Sequence, residues 1–136
     1  MPAPVPVSMV VCDSVYKDMG SGKTALVGLF NEIGAAQFPT RHNRFCVFVS
    51  VTGVRQGSKF KLRIVNSETD HVVVELQGPP PPKAGPLDMC DMCFELNDLG
   101  FPEAGLYFVE FWGDDRIIFQ RPIRLTERAK KKETES

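Results

Sequence analysis

The sequence predicts an all-β protein: an antiparallel, immunoglobulin-like two-layer β-sandwich of about eight strands with at most one short helix. Three observations predict it. Side chains alternate with a period of two through most of the chain after Pro39. The alternating runs are separated by turn chemistry at Gly53 to Gly57, Asn66 to Asp70 and Gly113-Asp114-Asp115. No amphipathic helix follows Pro39 to carry a crossover between parallel strands.

The elements follow in order. Val5, Val7, Met9 and Val11 alternate with Pro6, Ser8, Val10 and Cys12, which predicts a strand starting at a sheet edge because proline cannot donate to a ladder. Asp13 to Asp18 continue it toward Gly20-Ser21-Gly22. Thr24 to Ile33 supports two readings. Leu26, Leu29, Phe30 and Ile33 have helical spacing and favour a short amphipathic helix. The run Thr24 to Phe30 also fits a strand buried on both faces.

Beyond Pro39, strands are predicted around Phe45 to Thr52, Lys59 to Ile64, His71 to Gln77, Met89 to Leu96 and Leu106 to Trp112. Gly113-Asp114-Asp115 between apolar runs signals a hairpin. Gly78 to Pro86 holds five prolines and predicts a stiff surface loop. A chain of 136 residues fits one domain with one core, taken as residues 1–125. Residues 126–136 are mostly charged and polar and are expected to form a disordered tail.

Composition narrows the function classes. Apolar residues make up 43% and charged residues 24%, as in ordinary soluble domains, and no apolar run is long enough to span a bilayer as a helix. A net charge of −1 gives no long-range pull toward nucleic acid or anionic membrane. Met1-Pro2-Ala3-Pro4-Val5-Pro6-Val7 lacks a basic segment, and its prolines interrupt any apolar core of a secretory signal. The expected location is therefore cytoplasmic, with Cys12, Cys46, Cys90 and Cys93 as thiols rather than a disulfide framework.

Gly20-Ser21-Gly22-Lys23-Thr24 is the stretch nearest to a catalytic signature. A phosphate-binding loop needs G-x-x-x-x-G-K-[ST] between a strand and a helix. Gly22-Lys23-Thr24 fill its last three places, with Lys23 to neutralise phosphate and Thr24 to ligate magnesium. Lys17 stands where the first glycine belongs. Glu110 lies inside a strand rather than at the tip where a magnesium carboxylate is needed. A Gly-rich turn between two strands is the preferred reading, and nucleotide binding through Lys23 and Thr24 is the alternative.

Cys90-Asp91-Met92-Cys93 has C-x-x-C spacing, but a zinc site usually needs a second pair of ligands and none is closely spaced here. On a strand, Cys90 and Cys93 also point to opposite faces. No cofactor is expected. Lys59, Lys61 and Arg63 form a basic row that reads as a solvated sheet face. Asp13, Asp18, Glu32, His42 and His71 have no partner placed by sequence, and no nucleophile–base arrangement is evident. Phe108 and Trp112 share a strand face with Leu106 and Glu110. Aromatics on the wet face of a sandwich form an apolar patch of the kind that marks partner surfaces, unless the N-terminal segment or the Pro-rich loop covers them.

A family resemblance joins these motifs. Asp13-Ser14-Val15-Tyr16, Gly22-Lys23, Leu26-Val27-Gly28-Leu29-Phe30 and Phe38-Pro39 resemble an uncharacterised bacterial family of short β-rich proteins, catalogued as a domain of unknown function. Phe101-Pro102, Gly105-Leu106-Tyr107-Phe108-Val109 and Pro122-Ile123-Arg124-Leu125 extend the resemblance over most of the chain. It implies a cytoplasmic β-rich domain with a turn at Gly20 to Thr24, and it supplies no activity. The functional expectation is a non-catalytic binding or assembly module with a protein partner or self-association, Phe108 and Trp112 forming its contact surface.

Overall fold

The computed structural model describes residues 5–55, 57–78 and 87–128, which contain nine strands and no helix. They are β1 (Val5–Lys17), β2 (Thr24–Leu29), β3 (Glu32–Ala35), β4 (Thr40–Thr52), β5 (Phe60–Asn66), β6 (Val72–Gln77), β7 (Cys90–Phe101), β8 (Gly105–Gly113) and β9 (Arg116–Glu127). One sheet has the order β2-β1-β4-β7 and the other β3-β9-β8-β5-β6. Every strand pairing is antiparallel except that of β3 with β9. Strands β1, β4 and β7 take the places of A, B and E in an immunoglobulin sandwich, and β9, β8 and β5 those of G, F and C.

Alternation places the core. Phe45, Val47, Val49 and Val51 of β4 face inward, as do Cys90, Met92, Phe94 and Leu96 of β7. From the other sheet come Phe60, Leu62 and Ile64, with Tyr107, Val109 and Phe111. Burying each large apolar side chain contributes about 1.5–3 kcal/mol. Phe60 stacks on Phe111 at 5.3 Å, and Phe94 meets Phe111 edge-on at 6.1 Å, so the two sheets are joined through aromatic contacts. Tyr107 is fully buried near the start of β8, and its hydroxyl donates to the Glu103 carbonyl at 2.7 Å. This is the tyrosine corner of immunoglobulin-type domains. The disulfide-forming position two residues later is held by the buried Val109, and all four cysteines are free thiols.

Thr24 to Ile33 is not a helix. It forms β2, a two-residue turn and the start of β3. The i, i+3, i+4 spacing of its apolar residues comes from two short strands belonging to different sheets. Nor is β2 buried on both faces: Val27 and Leu29 are exposed, and only Leu26 is half-buried. Splitting this segment in two raises the strand number to nine. The Met89 to Leu96 strand runs on to Phe101. Strand β9 includes Thr126 and Glu127, while residues 129–136 of the expected tail lie outside the described residues, as do residues 79–86 of the Pro-rich loop.

Candidate functional site

The segment Lys17 to Thr24 is the turn of a β-hairpin, with Lys17 paired to Thr24. The Asp18 amide donates to the Lys23 carbonyl at 2.8 Å, and the Gly22 amide to the Asp18 carbonyl at 2.8 Å. The Ser21 amide donates to the Asp18 carboxylate at 2.8 Å, and the Lys23 amide to the Ser21 hydroxyl at 3.2 Å. The Ser21 hydroxyl and then its amide hold the Asp18 carboxyl below the usual carboxylate range. Gly22 supplies the left-handed backbone (φ 74°) that closes the turn. A phosphate cradle needs amides free to point at an anion. Here four of them are engaged within the turn, next to a carboxylate, so the geometry gives nucleotide binding by Lys23 and Thr24 no support.

The hairpin leaves the plane of its sheet. Strand β1 pairs with β4 only as far as Cys12 opposite Cys46, and beyond that it pairs with β2 alone. Cys46 lies on the outer face of β4, opposite in phase to Phe45 and Val47, yet it is buried, and so is Cys12. The Cys46 thiol donates to the Asp13 carbonyl and the Cys12 thiol to the Ser14 carbonyl, each at 3.4 Å. The second half of β1 and all of β2 therefore form an arm that curls over the outer face and covers these sulfurs.

Beneath the arm lies an open cleft of about 480 Å³. Val15, Lys17 and Thr24 line it from the arm, and Phe48, Cys93 and Glu95 from the sheet. Asp91 also reaches it, accepting a 2.6 Å hydrogen bond from the Ser50 hydroxyl. The fold thus brings Thr24 of the glycine-rich turn and Cys93 of the C-x-x-C pair to one cleft. It sends Cys90 into the core, on the other side of β7. Burial pushes up the thiols of Cys12, Cys46 and Cys90. Cys93 reaches solvent at the cleft wall, yet its thiol is pushed up to about 11, first by the packing around it and then by Cys46, Glu95 and Cys12. Such thiols stay protonated at neutral pH, whereas metal ligation and nucleophilic attack use the thiolate. Among the described residues, no group of three His, Cys, Asp or Glu side chains is placed to hold a metal ion.

Phe108 and Trp112 are half-buried on the outer face of the other sheet. Lys61 Nζ lies 4.7 Å from the Trp112 ring centroid. The indole N–H donates to Glu110 at 3.0 Å, and Gln120 donates to the same carboxylate at 3.4 Å. Arg63 sits between Glu110 and Glu75, at 3.5 Å and 3.7 Å. This face is a charge ladder with Trp112 built into it. Lys61 and Arg63, whose alternation the sequence shows, are part of this face, Lys61 over the Trp112 ring and Arg63 between the carboxylates.

Apolar side chains are more exposed on the arm than on this face. Tyr16 is 55% exposed, Met19 100%, Val27 50% and Leu29 63%. Sequence reasoning missed this because an apolar run reads as buried, whichever side the partner strand leaves open. The signal available was the lack of any charged residue in Thr24 to Leu29.

The fold and the site define an immunoglobulin-type β-sandwich with a β-hairpin arm lying over one sheet. The chain belongs to a family of unknown function, DUF6941, which matches residues 7–126. A solved immunoglobulin-like protein from Pseudomonas aeruginosa is similar in structure, with a TM-score of 0.49 and 13% identity, over 92% of this chain and 97% of that one. No curated protein matches the sequence.

Proposed function

We propose that this protein is a non-catalytic binding or assembly module whose contact surface is the β1–β2 arm. The observation that carries this reading is the uncharged open edge of β2, flanked by Tyr16, Met19, Val27 and Leu29, all at least half exposed. Sheet edges are ordinarily blunted by charge, because unpaired backbone groups beside apolar side chains recruit another strand. An edge left open in this way suits strand addition, where main-chain hydrogen bonds supply affinity and alternate side chains supply specificity. On the Phe108 and Trp112 face, the other contact surface considered, the Trp112 indole is braced by Lys61 and Glu110 and both rings are half-buried. That face therefore has less to gain from a partner.

Site-specific photo-crosslinking tests the choice. A benzophenone side chain replacing Val27 is expected to yield protein adducts in cells, and the same side chain replacing Trp112 is not. Adducts at 112 with none at 27 would reject the arm as the contact surface.

A further inference from the structure

We propose that the occupant of the arm is a second copy of this chain, its β2 pairing antiparallel with β2 of the first about a two-fold axis at Leu26. This rests on the arm being the contact surface. Among the four described strands that end a sheet, β2 alone carries no charged residue. Strand β7 presents Asp91, Glu95 and Asp98, β6 carries Glu75 and β3 carries Glu32. Two copies meeting through β7 would set carboxylates against carboxylates, whereas two β2 strands meet without charge along their length.

The register is chosen by side-chain size and by charge. Centred on Leu26, it sets Ala25 opposite Val27 of the other copy, a small residue against a larger one. Tyr16 is paired with Ala25 inside each arm, so its exposed ring would extend over the other copy's Val27. The same register sets Thr24 opposite the other copy's Gly28. Lys17 lies beside Thr24. Asp13 leans over Gly28, its Oδ2 within 2.6 Å of where a Cβ on that glycine would be. Lys17 of each copy therefore faces Asp13 of the other across two small residues. Neither forms an ion pair within one chain among the described residues. A two-fold axis makes every such contact twice. The left-handed backbone of Gly28 (φ 75°) ends the regular ladder, so the interface is short and the dimer depends on concentration.

Sedimentation velocity on the full chain over a wide concentration range tests this. The wild type is expected to pass from monomer to dimer as concentration rises. Asp13→Lys and Lys17→Asp should each weaken dimerisation by about tenfold or more. An equimolar mixture of these two variants should recover it, because each then meets its opposite charge. Val27→Lys, at an exposed position, should abolish the dimer without touching either charge, with folding of all variants checked by circular dichroism. A wild type that stays monomeric throughout, or a dimer indifferent to both charge reversals, overturns the proposal. A monomer whose position 27 still crosslinks to other proteins removes the second copy and leaves the arm as a binding surface. No dimer and no adduct removes both.

Discussion

The four-stranded sheet ends in two edges built on opposite plans. Strand β7 closes one side with twelve residues that put Cys90, Met92, Phe94 and Leu96 into the core and Asp91, Cys93 and Glu95 outward. Its far end is pinned where Arg41 donates to Asp98 at 2.7 Å and 2.9 Å. Strand β2 closes the other side with six residues, no charge, and one half-buried side chain. Each edge has unpaired backbone groups, but only β7 combines a buried inner face with a charged outer one. Strand β7 is therefore part of the sandwich core, while β2 lies outside it. Apolar side chains in β2 contribute little to the core and remain available for contact.

Substitutions on the two strands test that division. Phe94→Ala on β7 should cost about 3–5 kcal/mol in urea unfolding, since it removes a buried ring packed on Phe111. Val27→Ala on β2 should stay within about 0.5 kcal/mol. Comparable costs would break the contrast. Gly28→Ala should cost about 1–2 kcal/mol, because it forces a side chain into a left-handed backbone and against Asp13. Hydrogen exchange should place that loss in the arm and leave β7 protected; loss of protection in β7 would show that the arm and sandwich unfold together.

A smaller effect sharpens the chemistry of the β7 edge. Cys93 is solvent-accessible, yet its thiol is pushed up to about 11. Against an unfolded-chain control at neutral pH, its alkylation by iodoacetamide should be about tenfold slower. The lower thiolate fraction slows it, and the higher nucleophilicity of a more basic thiolate partly offsets that. The gap should close as pH rises toward the thiol's own value. Alkylation at the control rate would mean that the cleft wall does not desolvate the sulfur.

Much of this molecule is legible residue by residue. The alternation of Phe45, Val47, Val49 and Val51 with Cys46, Phe48 and Ser50 assigns an inner and an outer face without coordinates. The turn at Gly20 to Thr24 follows from the missing glycine at position 17 and from the absence of helical crossovers. The cleft is less legible, because Lys17 and Glu95 stand far apart in sequence and meet only through the curl of the arm. Trp112 shows the same limit: its strand face can be read, but the Lys61 chain above its ring comes from a neighbouring strand.

What the sequence by itself determined was the period-two pattern, its turns, and hence an all-β sandwich, together with its resemblance to a family of unknown function. Tertiary structure alone decided that Thr24 to Ile33 is two strands, that Cys12 and Cys46 are buried on an outer face, and that Tyr16, Met19, Val27 and Leu29 of the arm stay exposed. The physical reason is that periodicity reports which side chains share a face. What covers that face depends on strands distant in sequence.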